Sequence, residues 1–241
     1  MARKPALSSV SASSGEIVEG VSRTTVVYDL LKYDLLHGVF PAGEKLATAA
    51  LSTHYNIGVS SVREALSRLS AEGLVERIDQ RGFRVAGMDW SELPILTQTR
   101  CMVEGMALRE SIQRRNEVWE NQLVLINHRL TKTPRSLAVD GYVRNPVWED
   151  LHAQFHRCLL ANCPSRWLRQ FCESLADEAY RFRQVAASRH YSKREELREH
   201  VPLFSACIEG REDDAVALLV AHYQRTAQLT QAAIGLVPTQ D

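Results

Sequence analysis

Hydrophobic and polar positions divide the chain into two textures. From about Ser22 to about Ala86 the period changes repeatedly and turn residues recur; from about Asp89 onward long helical stretches take over, with no alternating strands. In the first region Val27, Leu30, Leu31 and Leu35 recur three and four apart, which predicts the core stripe of a helix starting near Ser22. Gly38 and the turn Phe40-Pro41-Ala42-Gly43 stop it. A short second helix is expected over about Thr48 to Tyr55, and Asn56-Ile57-Gly58 makes a tight connection to a third, capped by Ser60 or Ser61. That third helix buries Val62, Ala65, Leu66 and Leu69 and leaves Arg63, Ser67 and Arg68 on or near its outer face. Glu72-Gly73 ends it, and LVERIDQRGFRVA reads as two short strands around a tip of Gln80, Arg81 and Gly82.

Helix, helix, tight turn, helix, hairpin is the order of a winged helix-turn-helix. A short helix presenting Ser60, Ser61, Arg63 and Ser67 can enter a major groove, where hydroxyls and a guanidinium meet base edges and phosphates. The hairpin tip can reach the neighbouring backbone or minor groove. The same elements would also serve a small helical domain that touches another protein. The expected fold is mostly α, and the expected organisation has four parts. These are a disordered Ser-rich leader (1–21), the winged head (22–87), an all-helical bundle (88–236) and a short tail (237–241).

Composition narrows the function. The chain has 241 residues, 45% of them hydrophobic, and 29 basic side chains balance 29 acidic ones. Zero net charge excludes nucleic-acid binding by bulk charge, so any such binding uses a local patch. No apolar run approaches the roughly 20 residues that cross a bilayer, and the leader has no signal-peptide core. Five cysteines in an odd count, without CxxC spacing, read as reduced thiols of a cytoplasmic protein.

The second region holds the candidate chemistry. Trp148, His152, Phe155, His156 and Leu159 share one helix face, Leu197, His200, Phe204 and Cys207 another, and Leu218, Leu219, His222, Thr226 and Leu229 a third. Four histidines on three helices thus point inward. One inward histidine is ordinarily a hydrogen-bonded core residue; four that converge can be satisfied together by a shared divalent cation. Arg100 repeats with Glu104, Ala107, Leu108 and Ser111 on the first helix of this region. Either Glu104 is its structural partner, or its fork takes the carboxylate of a small acid whose other end reaches the metal. Arg225, placed on the inner face of the last helix, is either a second candidate for the effector or a member of a surface ion pair. SKREELREH reads as a solvated helix start, and Trp119, Trp148 and Trp167 as core. Catalysis is not expected: there is no phosphate loop or GxSxG elbow, and Ala153 stands where a zincin has its glutamate.

PAGEKL followed by VREALSRLSAEGLVERIDQRGFRVA resembles the GntR family of bacterial transcription regulators over most of Thr24 to Ala86. The resemblance implies operator binding by a homodimer, with Arg63 as a DNA-contacting arginine and Gly82 at the wing tip. Gly58 and Val59 depart from the Ser-Arg that often opens the family's recognition helix, and Thr48 replaces an acidic residue common in the second helix. About Asp89 to Leu236 is similar to the FCD effector domain of the FadR branch. That similarity implies a helical bundle in which a carboxylate and three histidines hold a metal. His156, His200 and His222 match the histidines, and His152 falls at the aspartate, so the site has four histidines or has His152 as a weaker ligand beside a water or effector oxygen. Zinc suits imidazole best, with manganese or nickel also consistent. Within the branch, SRLSAEGLVERIDQRGFRVA, TQTR, WEDLHAQFHRCLLANCPSRWLRQFC and DEAYRFR resemble carbon-starvation-induced regulators, which implies a short dicarboxylate such as glutarate, or a related γ-aminobutyrate-pathway acid, as effector. The expected protein is a repressor under effector control, or else a metal sensor with no organic ligand.

Overall fold

The computed structural model describes residues 22–79, 81–138, 142–189 and 197–235. The expected leader, the wing residue Gln80 and the expected tail lie outside the described residues. Two compact units emerge, one from the described parts of Met1–Tyr33 and Glu44–Val85, the other from Asp34–Gly43 and the described parts of Ala86–Asp241. Asp34–Gly43 thus groups with the helical unit, where His37 meets the Tyr180 ring edge-on at 5.2 Å.

In the smaller unit α1 (Arg23–Leu36) starts behind Ser22, whose hydroxyl accepts the Thr25 N–H at 3.1 Å. Val27, Leu31 and Leu35 are buried, whereas Leu30 is 39% exposed, so the stripe is narrower than its spacing implied. β1 (Lys45–Leu46) was not legible as a strand; two residues are too few to show a period. α2 (Thr48–Tyr55) and α3 (Val59–Ala71) follow, and α3 buries Val62, Ala65, Leu66 and Leu69. Gly58 is the residue before α3, and no side chain caps it, so Ser60 and Ser61 sit inside the first turn rather than capping it. β2 (Val75–Ile78) and β3 (Gly82–Val85) pair antiparallel, Glu76 opposite Arg84, and β1 adds to the other edge of β3. Leu46, Leu51, Leu74, Val75, Phe83 and Val85 complete the buried set. Each such aliphatic side chain contributes about 1.5–3 kcal/mol on full burial. Polar contacts tie α1 to the end of α3: Tyr28 Oη–H donates to Glu72 Oε1 at 2.5 Å and Lys32 Nζ to Glu72 Oε2 at 3.1 Å.

The larger unit opens on a 3-10 turn, Trp90–Glu92, capped by Asp89, which accepts the Ser91 N–H at 2.9 Å. Its helices among the described residues are α4 (Leu93–Gln113), α5 (Glu117–Lys132), α6 (Pro146–Leu159), α7 (Arg166–Arg189), α8 (Leu197–Glu209) and α9 (Glu212–Ala233). Asn116 caps α5 by accepting the Trp119 N–H, and Asn145 caps α6 just ahead of Pro146, where a missing N–H costs nothing. α4 packs on α9 and α7, α5 on α6, and α8 on α9. Between them lie Leu108, Ile112, Trp119, Leu123, Leu130, Phe155, Leu159, Leu203 and Leu219, all buried. The Trp119 indole N–H donates to the Cys158 carbonyl at 2.6 Å, so its one polar atom is satisfied inside the core. Trp167 is 70% exposed: it stands on the outer side of α7, which corrects its placement as core. None of the described helices is long and apolar enough to cross a membrane, and all five cysteines are free thiols.

Candidate functional site

Two sets of residues carry chemistry. The first is the outer face of α3 with the wing. Ser60, Arg63, Ser67 and Arg68 are exposed and Ser61 is half-buried, because the four apolar residues of the helix all turn inward. Ser67 Oγ–H donates back to the Arg63 carbonyl at 3.0 Å, which leaves its oxygen lone pairs facing outward. Without a side-chain cap, the first N–H groups of α3 are open to an anion such as a phosphate. Arg81 and Gly82 are exposed at the wing tip, and Gly82 has φ +95°, a conformation only glycine adopts cheaply.

The second set is the histidine cluster. α6 places His152 and His156 one turn apart, α8 supplies His200 and α9 His222, and one nitrogen from each lies within 4.8 Å of the others. His152 Nε2 and His156 Nε2 are 3.3 Å apart, matching the roughly 3.3–3.4 Å between two nitrogens on one tetrahedral zinc with bonds near 2.0–2.1 Å. His200 and His222 are buried, whereas His152 and His156 keep partial exposure, so the cluster is reachable. Burial above all, then neighbouring imidazoles (His156 for His152, His222 and His200 for His156) and the nearby Arg183 or Arg100, hold His152 and His156 well below the usual imidazole range. They are therefore neutral, with lone pairs to offer.

A second layer of side chains orients these rings. His222 Nδ1–H donates to Glu199 Oε2 at 2.9 Å, which turns Nε2 toward the cluster. His156 Nδ1–H donates to Tyr223 Oη at 3.2 Å, and the tyrosine in turn donates to Glu104 Oε2 at 2.5 Å. Burial and the adjacent Glu104 push the Tyr223 hydroxyl far above its ordinary value, so it stays a donor. Arg100 closes this chain: its Nε donates to Glu104 Oε1 at 2.6 Å, its Nη2 to Glu104 Oε2 at 3.4 Å, and its guanidinium lies 4.0 Å from the Tyr223 ring. Burial opposes the Arg100 charge, and Glu104 more than offsets it, so the arginine stays ionised.

Four imidazoles converging from three helices suit a borderline-soft divalent cation, and the donor set therefore fits a resident metal. The structure brings together His152, His156, His200, His222, Arg100 and Glu104. It does not bring Arg225 in: this residue is exposed, because His222, Tyr223 and Thr230 take the inner face of α9. Sequence reasoning missed Tyr223, Glu199 and Trp148. Glu199 belongs to the run read as solvated, and Tyr223 adjoins His222 out of step with the apolar stripe. Trp148, placed only as core, stacks on His152 with ring centroids 4.8 Å apart and planes 19° apart.

A winged helix-turn-helix followed by a helical bundle around a ligating cluster is the build of a DNA-binding regulator. The chain belongs to the gntR family of bacterial regulatory proteins, which it matches over residues 23–85, and it carries an FCD domain over residues 96–225. It is a DNA-binding transcriptional regulator of that type, and FCD domains often bind a metal. It is 30% identical over 225 residues to the uncharacterized HTH-type transcriptional regulator BphR of Paraburkholderia xenovorans, spanning 91% of this chain and 90% of that one. To the HTH-type transcriptional repressor GlaR of Escherichia coli it is 36% identical over 158 residues, 66% of this chain and 71% of that one. Among solved structures, Escherichia coli McbR/YncC superposes with a TM-score of 0.76 at 18% identity, over 89% of this chain and all (100%) of that one, a likeness of fold.

Proposed function

We propose that this regulator is a repressor that binds a short inverted repeat as a homodimer and releases it when a small carboxylate occupies the bundle. Ser60, Ser61, Arg63 and Ser67 on α3, with Arg81, Gly82 and Gln80 of the wing, would contact the operator; Gln80 lies outside the described residues. The observation that carries the effector half is the convergence of four imidazole nitrogens within 4.8 Å. His152, His156, His200 and His222 would hold the ion, zinc first, manganese or nickel otherwise. A bound metal of this kind supplies a Lewis-acidic position for a ligand oxygen. Arg100 would take the carboxylate: Glu104 engages its Nε and Nη2, and Nη1 remains for a ligand. Glu104 would then act as the group the effector competes with. Repression is supported by the similarity to GlaR, a transcriptional repressor of Escherichia coli. The likeness to the carbon-starvation-induced regulator CsiR supports a short dicarboxylate such as glutarate.

A second reading, a metal sensor with no organic ligand, draws on the Arg100–Glu104 pair, which already satisfies most of the arginine from within the chain. Fluorescence anisotropy of DNA from just upstream of the gene separates the two. It is run at one stated salt concentration, on metal-loaded and chelated protein, with and without small carboxylates. Release by an acid only in the presence of metal supports the effector reading, which requires the acid to prefer the released state. Release or tightening by metal alone supports the sensor.

A further inference from the structure

On α3 an arginine stands between two carboxylates and pairs with neither. Glu64, Arg68 and Glu72 follow one another at four-residue intervals, the spacing at which opposite charges on one helix face ordinarily meet. Both acids are turned aside to α1 instead. Glu64 Oε2 accepts the Thr24 hydroxyl at 3.2 Å, Glu72 Oε1 the Tyr28 hydroxyl at 2.5 Å, and Glu72 Oε2 the Lys32 ammonium at 3.1 Å. Thr24, Tyr28 and Lys32 are themselves four apart, so one stripe of α1 holds both carboxylates.

Arg68 rests on the middle member of that stripe. Its guanidinium carbon lies 4.0 Å from the centre of the Tyr28 ring, within reach of the attraction between a cation and an aromatic face. The ring is anchored in turn by its bond to Glu72. Burial first, and then that bond, push the Tyr28 hydroxyl up to about 12, so it remains a donor at neutral pH. Arg68 is exposed, and among the described residues no acceptor takes its N–H groups. It lies five residues beyond Arg63, about 7.5 Å farther along the helix axis. The first turns of a recognition helix meet base edges, whereas its later turns lie beside the duplex backbone.

We propose that Arg68 is a phosphate contact of this regulator, held in place by Tyr28 and kept from ion pairing by the Thr24–Tyr28–Lys32 stripe. The proposal rests on the reading in which α3 faces DNA. A backbone phosphate carries no sequence information, so the contact adds affinity on every duplex and no preference among them. Tyr28 is a positioning residue: it acts through Arg68 by ordering a long side chain before the DNA arrives.

Fluorescence anisotropy of the full-length protein tests this, on DNA from just upstream of the gene and on an unrelated duplex of equal length, across a salt series. Arg68→Ala is expected to weaken both duplexes about tenfold and to reduce the slope of log K against log salt by about one. That slope counts phosphates neutralised, which a merely structural role of Arg68 would not change. Tyr28→Leu is expected to weaken both duplexes about two- to tenfold. Tyr28→Phe, which keeps the ring, retains most of the affinity, and Tyr28→Leu added to Arg68→Ala costs nothing further. An unchanged slope in Arg68→Ala, a loss on the upstream duplex alone, or a Tyr28→Leu effect that persists in full without Arg68 each overturns the proposal and leaves the DNA-facing reading of α3 standing. Binding of neither duplex by the unaltered protein overturns both.

Discussion

On α3 the side chains with chemistry, Ser60, Arg63 and Ser67, face outward, and the apolar residues Val62, Ala65, Leu66 and Leu69 face in. On α6 of the bundle the chemistry joins the apolar side: Phe155 and Leu159 are fully buried, and His152 and His156 turn toward His200 and His222 beside them. The difference follows from the partner each surface meets. A polyanion as large as DNA can be read only from the surface, and exposed donors keep their hydration until it arrives. A metal or small acid is gripped best where water is excluded and the donors are held beforehand. The cost is that the bundle must satisfy every polar group it buries, hence the chain from Arg100 through Glu104 and Tyr223 to His156.

Perturbing that chain should therefore hurt more than perturbing the head. Glu104→Ala leaves Arg100 buried without its carboxylate and is expected to destabilise the bundle by roughly 3–5 kcal/mol, read as a lower thermal or urea midpoint. If the midpoint does not move, the chain carries no structural load and the comparison fails. Chelation comes next. For an ion present at about 100–1,000 times its Kd, removal should cost about 2.7–4.1 kcal/mol, and elemental analysis should find one ion per chain before treatment and none after. Arg63→Ala is expected to weaken operator binding by about 1–3 kcal/mol at fixed salt, with the unfolding midpoint and the metal content unchanged. A shift in either of those would show that the exposed face of α3 also bears structure. The smallest effect is at the wing tip. Gly82→Ala meets no neighbouring atom, so only its φ of +95° is penalised, at about 1–2 kcal/mol. Urea melts followed through the head should detect it.

Most of the head was legible because its signals are local. The apolar residues of α3, the stop at Glu72-Gly73 and the hairpin around Gly82 are each determined within one turn or one strand pair. What went unread there needed neighbours: β1 is a strand only because β3 pairs with it, and Leu30 sits in step with the α1 stripe yet lies partly in solvent. In the bundle the inward phase of His152, His156, His200 and His222 could be seen helix by helix, and they do converge. The departure of Arg225 shows the limit of that reasoning. Helical phase gives a direction around one axis, and the inner arc of α9 proves too narrow to include it.

By itself, then, the sequence determined the kinds of element, their order, the family and the four imidazoles, since periodicity, turn residues and motif spacing are all written along the chain. Tertiary structure alone decided which polar atoms meet. That Glu199 orients His222 and that Tyr223 joins Glu104 to His156 depend on packing between helices far apart in the chain. A hydrogen bond is settled within a few tenths of an ångström, and residue spacing along one helix carries no such information about another.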